Sequence, residues 1–239
     1  MRGARLESLD GAGRDDPETR ENVSVIKREV RRLSQITEEY LQFSRLPRAA
    51  FGPERVNDLL VELSDFVRPL ILRKGVRLNL MLDESDPEAV CDATLLRQAL
   101  LNLLRNAVDA TVEGTGTIQM TTRALWSGGP SAVPPPAGYD AVEISVEDNG
   151  CGIPPEVLDR VYDPFFTTKK DGTGLGLALV LRAVEEHGGS IRCASLVGKG
   201  TTFRMTVPCF PPAAPVRGEP ASGPHQTPSA PEIGTAPTG

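Results

Sequence analysis

Apolar side chains recur at every third or fourth position between Val23 and Phe43. This spacing places them on one face of a helix, and Pro17 and Glu18 are residue types that helix N-termini favour. We therefore predict a long amphipathic helix over residues 18–46, whose apolar face needs a partner. A second run, from Phe51 to Phe66, also has helical spacing and predicts another helix.

The rest of the chain predicts a mixed domain. A stripe of leucines predicts a helix from Asp92 to Ala110, and a further helix from Gly174 to His187 is followed by two glycines. Alternation of apolar and polar residues predicts strands at 76–82, 117–125, 141–147, 190–194 and 201–207. Because these strands and helices do not alternate regularly, as they do in a doubly wound sheet, we predict an α+β fold. It would be a two-layer α/β sandwich, with a mixed sheet and helices on one face.

Composition divides the chain into three parts. Residues 1–50 hold the predicted long helix, and residues 51–208 hold the sandwich. Residues 209–239 are rich in proline, alanine and glycine, with few large apolar side chains, and are predicted to form a disordered tail. Within the sandwich, glycine and proline at 126–136 predict a long exposed loop between two strands.

Charge and cysteine content exclude several classes of function. The 239 residues carry a net charge of −6 and no long basic run, so nucleic acid is not an expected partner. No stretch of about 18 apolar residues predicts a membrane segment, and the N-terminus lacks a secretory core. The four cysteines are scattered without metal-ligand spacing, which favours a cytoplasmic protein with reduced thiols.

The first segment with chemical potential lies on the predicted helix from Asp92 to Ala110. Asn102 and Asn106 are four residues apart, so both amides project from one face. An amide oxygen suits Mg²⁺, which takes few protein ligands and keeps water and phosphate oxygens. Asparagines that are solvated or bonded to their own helix explain the pair equally well when it is considered alone.

The second segment follows an apolar strand. Asp148 is followed by Gly150 and Gly152, which let the backbone approach a flat ligand. A partly buried carboxylate there could accept a hydrogen bond from an adenine amino group, whereas guanine places a carbonyl at that position, so we expect ATP to be preferred to GTP. An ordinary turn is the commoner explanation of this segment in isolation.

The third and fourth segments are an aromatic pair and a glycine-rich helix start. Phe165 and Phe166 precede Lys169, which could reach phosphate, although a solvated loop with a buried phenylalanine explains them as well. The glycines at 172–176 open a helix, where free N–H groups bind phosphate. The Walker pattern fails because no Gly-Lys-Ser/Thr follows, and the dinucleotide pattern fails because no apolar strand precedes.

The four segments occur in order within about one domain's length, as a single ligand site requires. They resemble the N, G1, F and G2 boxes of sensor histidine kinases, which belong with gyrase, heat-shock chaperone and mismatch-repair ATPases. The run from Gly198 to Phe203 resembles the segment that closes that domain. The resemblance covers roughly residues 55–208 and implies ATP and Mg²⁺ as cofactors.

Residue roles follow from the resemblance. Asn106 would be the Mg²⁺ ligand, and Asn102 would be its neighbour on the phosphate side. Asp148 would recognise the adenine by a hydrogen bond. The implied catalytic residues are Asn102, Asn106 and Lys169. The implied nucleotide-binding residues are Arg105, Asn106, Asp109, Asp148, Gly150, Gly152, Ile153, Phe165, Phe166, Thr168, Lys169, Gly172, Thr173, Gly174, Leu175, Gly176, Leu177 and Thr201.

The ATPase branches of the family place a Glu four residues before the Mg²⁺-binding Asn, where it can activate water. Here that position is Asn102, which cannot accept a proton, so transfer to a protein is favoured over hydrolysis. A gyrase-type hydrolase and a non-catalytic dimerising pseudokinase remain the alternatives.

The kinase branch also implies partners and a location. Residues 18–46 would be the second helix of a hairpin that forms a homodimer, and a response-regulator receiver domain would be the other partner. The chain would be cytoplasmic, or the cytoplasmic part of a membrane-bound sensor.

The sequence departs from the kinase pattern at the phosphoacceptor. No His followed by an acid lies upstream, and the two histidines are His187, predicted to end a helix, and His225 in the predicted tail. Residues 1–16 resemble only the end of the first hairpin helix and its turn. We therefore expect a fragment of a longer kinase, rather than an acceptor on another protein, and expect it to bind ATP without phosphorylating itself.

Overall fold

The computed structural model describes residues 17–44, 49–126, 138–169 and 172–209. Residues 1–16, most of the predicted loop at 126–136, and residues 210–239 of the predicted tail, with His225, lie outside the described residues. The described elements are α1 (Pro17–Ser44), β1 (Gly52–Arg55), α2 (Val56–Lys74), β2 (Arg77–Met81), β3 (Glu88–Cys91), α3 (Ala93–Ala110), β4 (Thr117–Leu125), β5 (Ala141–Asp148), α4 (Pro155–Leu158), α5 (Gly176–Glu186), β6 (Ser190–Leu196) and β7 (Gly200–Pro208).

The predicted long helix is present as α1, and its apolar side chains remain largely exposed. Such a stripe on an isolated amphipathic helix requires a covering surface. The exposed apolar residues of α1 are Val25, Ile26, Val30, Leu33, Tyr40 and Leu41.

The helix predicted from residue 51 begins later and ends later than its spacing indicated. Residues 52–55 form β1, which pairs antiparallel with β3, a strand that the sequence did not predict. Helix α2 starts at Val56 and continues through Pro69 to Lys74, where Gly75 in a left-handed conformation ends it. Because Val67 and Ile71 continue the buried face, tertiary packing extends the helix beyond Phe66.

The five-stranded sheet has the order β2-β4-β5-β7-β6. The β2–β4 pair is parallel and the other neighbours are antiparallel. On β5, Val146 lies opposite Met120 of β4 and Phe203 of β7, and all three are buried. The intervening side chains, among them Glu143 and Ser145, line an open polar concavity on the other face. The predicted two-layer α/β sandwich with a mixed sheet is confirmed.

Helix α3 occupies the middle of the helical layer. Its leucine stripe is buried, and Asp92 caps its start by accepting the N–H groups of Thr94 and Leu95. At the other end, the Lys74 ammonium donates to the carbonyls of Val108 and Asp109, where a positive charge is favourable. Both ends of the helix that carries the two asparagines are therefore fixed by side chains.

His187 ends α5, as the sequence predicted, and is buried. Its Nε2 accepts the Asp92 N–H at 2.9 Å and its Nδ1 donates to the Ala183 carbonyl at 2.6 Å. The Phe51 ring packs edge-on against the imidazole, with centroids 5.3 Å apart. His187 thus joins the end of α5 to the start of α3.

Candidate nucleotide site

Asn106, Asp109 and Lys169 meet between α3 and the segment that joins α4 to α5. The Lys169 Nζ lies 2.8 Å from the Asn106 Oδ1 and 2.8 Å from the Asp109 Oδ2. A charged donor makes both contacts stronger than neutral hydrogen bonds. The amide oxygen of Asn106 is therefore accessible to a cation that comes from this side of α3.

Asn102, one turn earlier on α3, faces the start of α5. Its Nδ2 donates to the Gly176 carbonyl at 3.4 Å, and a Cβ placed on Gly176 would lie 3.9 Å from the Asn102 amide carbon. One face of α3 thus contacts both the lysine segment and the glycine-rich helix start. The structure brings the lysine segment and the glycine-rich helix start, which are close together in sequence, against α3, whose residues lie 60 or more positions earlier in the chain.

Asp148 ends β5 and is 7% exposed. Its carboxylate accepts the Gly150 N–H at 2.8 Å and also the Thr201 N–H. Burial raises the pKa of Asp148 above its ordinary value; the two N–H donors oppose this effect, and the charge of Glu147 adds to it. Since a carboxylate offers about four lone-pair positions, it can still accept from a ligand.

The glycines after Asp148 allow close backbone contacts. A Cβ at Gly150 would lie 2.6 Å from the Ala110 carbonyl oxygen, and one at Gly152 would lie 2.3 Å from the Leu196 carbonyl oxygen. Gly152 also has a φ of +72°, which L-residues rarely adopt. The loop therefore lies directly against the end of α3 on one side and the β6–β7 turn on the other.

The predicted aromatic pair is divided between two surroundings. Phe165 is 58% exposed, has a φ of +67°, and its ring stacks on Tyr40 of α1 with centroids 6.5 Å apart. Phe166 is half-buried, and the Arg160 guanidinium lies over its ring at 4.4 Å. Gly174 accommodates the Phe165 backbone, since a Cβ there would lie 2.4 Å from the Phe165 carbonyl carbon.

The glycine-rich segment begins α5 two residues later than predicted. Gly174, with a φ of +72°, precedes the helix, and buried Leu175 anchors its start. The Thr173 hydroxyl accepts the Leu175 N–H at 3.3 Å, and the Gly172 N–H donates to the Lys169 carbonyl at 3.2 Å.

The remaining predicted site residues surround these groups. Arg105 and Thr168 are exposed, Leu177 and Ile153 are half-buried, and Thr201 is buried. Ile153 and Thr201 both contact Ser195, which the sequence did not single out. A serine in an alternating strand carries no motif, so only the placement of β6 beside the Asp148 loop reveals it.

Among the described helices, none combines the length and apolar content required to cross a bilayer. The described residues also contain no cluster of three or more His, Cys, Asp or Glu side chains suited to a metal.

A mixed sheet with helices on one face, a buried acid at the end of a strand and a glycine-rich helix start define an ATP-binding domain. The chain belongs to the family described as "Histidine kinase-, DNA gyrase B-, and HSP90-like ATPase", which matches residues 91–211.

Similar proteins place the chain in the kinase branch of this family. It is 37% identical over 196 residues to the signal transduction histidine-protein kinase AtoS of Escherichia coli K12, which is 82% of this chain but 30% of that relative. The chain therefore spans less than a third of that relative's length.

Two solved structures extend the likeness to the fold. Full-length ShkA in complex with AMPPNP has a TM-score of 0.66 and 28% identity, with 86% of this chain and 42% of that chain covered. Histidine kinase ThkA in complex with the response regulator TrrA has a TM-score of 0.67 and 27% identity, with coverage of 87% and 57%.

Proposed function

We propose that this chain contains the ATP-binding catalytic region of a two-component sensor histidine kinase, which transfers the γ-phosphoryl group of ATP to a histidine. The observation that carries the proposal is the convergence on α3, where Asn106 contacts Lys169 and Asn102 contacts Gly176. Phosphoryl transfer depends chiefly on positioning and on neutralising charge, and an amide, an ammonium and helix N–H groups supply both.

In this proposal the adenine lies at Asp148, whose carboxylate retains acceptor capacity after its two backbone hydrogen bonds. Gly150 and Gly152 have no side chains, which lets the loop after Asp148 pack closely against its neighbours. The phosphates lie against the N–H groups at the start of α5, within reach of Lys169. The structure of ShkA with AMPPNP supports an adenine nucleotide as the ligand of such a domain.

Asn106 fits Mg²⁺ because its side-chain oxygen already accepts a cationic donor, the Lys169 ammonium. Mg²⁺ that arrives with a nucleotide needs only one or two protein oxygens and keeps phosphate and water oxygens. Bound there, the ion would neutralise phosphate charge. Asn102 has no basic carboxylate, so it cannot activate water for hydrolysis.

The acceptor histidine and the partners are part of the proposal. His187 is buried between α5 and α3, so its imidazole is unsuited to receive a phosphoryl group. The exposed apolar stripe of α1 supports a homodimer formed through a helical hairpin. The complex of ThkA with a response regulator supports a receiver domain as the second partner.

The test is titration calorimetry of the chain with ATP, with and without Mg²⁺, for the wild type and Asn106→Ala. We expect Mg²⁺ to strengthen ATP binding in the wild type, and this gain to be lost in the variant. Asn79→Ala, an exposed asparagine on β2, is the matched control and should retain the gain. Nucleotide binding that is indifferent to both Mg²⁺ and Asn106 would overturn the proposal.

A second measurement separates transfer from hydrolysis. A helical-hairpin polypeptide that bears an acceptor histidine, taken from a relative, is added with radiolabelled ATP. We expect label on the added polypeptide and little phosphate release in its absence. Sustained phosphate release without an acceptor would instead indicate a gyrase-type hydrolase, and ATP binding with neither reaction would indicate a non-catalytic module.

A further inference from the structure

The Ser195 hydroxyl on β6 makes three hydrogen bonds. It accepts the Ile153 N–H at 2.8 Å and donates to the Gly200 carbonyl at 2.9 Å. The Thr201 hydroxyl lies 2.9 Å away and donates to it, because the single Ser195 proton is already used. A serine hydroxyl has one donor and two acceptor positions, so this set satisfies it completely.

Two of these partners lie on either side of Asp148. The Thr201 N–H donates to the Asp148 carboxylate from β7, and Gly150 donates to it from within the loop that ends at Ile153. The Ser195 hydroxyl therefore joins the strand and the loop that together hold the carboxylate in place.

Backbone contacts bring the same loop and the β6–β7 turn close together. The Gly198 N–H donates to the Cys151 carbonyl at 2.8 Å, and the missing side chain of Gly152 admits the Leu196 carbonyl. Within this backbone interface, the Ser195 side chain bonds to both sides. Its loss would loosen the interface without removing any group that faces the proposed nucleotide.

We propose that Ser195 is a positioning residue for the nucleotide base, which fixes Ile153 and Thr201 around Asp148 and thereby contributes to the preference for adenine over guanine. This inference rests on the proposed function, in which Asp148 accepts an adenine amino hydrogen. Ser195 acts through its three partners. A role limited to stability would lower the unfolding temperature and leave the ratio of ATP to GTP affinities unchanged.

The test compares the affinities of ATP and GTP for the wild-type chain and for Ser195→Ala by titration calorimetry. The alanine leaves the Ile153 N–H and the Gly200 carbonyl without this partner at a part-buried site, where an unpaired polar group is unfavourable. We expect ATP binding to weaken roughly tenfold and GTP binding to change by about twofold or less, so that the preference falls. Ser195→Thr keeps the hydroxyl and should restore the preference.

Two further variants make each failure interpretable. Ser145→Ala is the same substitution in the same sheet, but Ser145 faces the opposite side, where it bonds to Thr121, and it should leave the preference intact. Asp148→Asn should abolish the preference. If it does so while Ser195→Ala does not, the positioning role is wrong; if neither variant changes ATP binding, the proposed function itself fails.

Thermal unfolding of each variant establishes that it is folded. If Ser195→Ala does not fold, Ser195→Cys replaces it in the same comparison, because a thiol fills the space but is a weak hydrogen-bond partner. A folded cysteine variant with the wild-type preference would overturn the inference.

Discussion

The Lys169 ammonium lies 2.8 Å from the side-chain oxygen of Asn106 and equally far from a carboxylate oxygen of Asp109. Lys169 belongs to the segment between α4 and α5, whereas its two partners lie on α3. The contact therefore closes that segment over the helix that carries the asparagines. Asp109 gives the ammonium a second partner beside Asn106.

Replacing Lys169 should affect ligand binding more than folding. We expect Lys169→Gln to weaken ATP binding about tenfold, since a charge-assisted contact to phosphate is lost. The melting temperature should change little, because Lys169 and Asp109 are exposed and such pairs contribute about 0–1 kcal/mol. Calorimetry and thermal unfolding measure the two effects. Asp109→Asn, which removes only the second partner, should weaken binding less; a large loss of stability with unchanged binding would contradict the assignment.

Replacing Asp148 should separate stability from binding. Burial of the carboxylate disfavours its charged form, and asparagine keeps an oxygen for the backbone donors. We therefore expect Asp148→Asn to retain or raise the melting temperature at pH 7 while ATP binding weakens at least about tenfold. A variant that unfolds at pH 7 would show instead that the charge itself supports the fold.

The raised pKa of Asp148 also fixes the sign of a pH effect. The folded chain binds the proton more tightly than the unfolded chain, so the wild type gains stability as pH falls through the raised pKa toward 3.8. The gain is lost as pH rises. Relative to Asp148→Asn, the wild type should therefore become more stable at mildly acidic pH, which thermal unfolding across a pH series would measure. ATP binding should weaken over the same interval.

His187 should prove structural. Its two ring nitrogens bond to Asp92 and Ala183, so His187→Ala leaves a buried N–H unpaired and opens a cavity. We expect a loss of about 3 kcal/mol in the free energy of unfolding, measured with urea.

Radiolabel from ATP should be absent from His187 in the wild type. The matched change at the chain's other histidine, His225→Ala, tests for label there, and label on His187 would contradict its buried role.

Two glycines of the β6–β7 turn should differ sharply in their tolerance of alanine. At Gly200, φ is +121° and a Cβ would lie 1.9 Å from the Asp148 carbonyl oxygen, so Gly200→Ala should disrupt the site and unfold much of the domain. At Gly198, φ is +74° and the space is open, so alanine should cost about 1–2 kcal/mol. Urea denaturation of the two variants tests this, and equal losses would contradict the contact at Gly200.

The fold could be predicted where a periodic pattern of apolar and polar residues extended over many positions. The strand at 117–125 was predicted with its observed bounds, and the buried leucines of α3 were predicted from their spacing. Strands β1 and β3 were missed because each has only four residues and β1 contains Pro53. They pair with each other although α2 and β2 lie between them in the chain. Such short pairs depend on tertiary contacts rather than on local periodicity.

The site could be predicted as a set of segments but not as a set of contacts. The spacing of Asn102 and Asn106 places both on one face of a helix, whatever they contact. That Lys169 bonds to Asp109, or that Ser195 joins Ile153 to Thr201, depends on how distant segments pack. No local preference encodes those distances.

The stacking of Phe165 on Tyr40 connects α1 to the segment that precedes the glycine-rich helix start. At 1.5 Å per residue, the 28 residues of α1 form a helix about 42 Å long, and Tyr40 lies about one turn from its C-terminal end. Successive residues are about 100° apart around a helix axis, so a rotation by one position would carry Tyr40 away from Phe165. The rotational position of α1 therefore determines whether this ring contact forms. Phe165 in turn donates its backbone N–H to the carbonyl of Gly174.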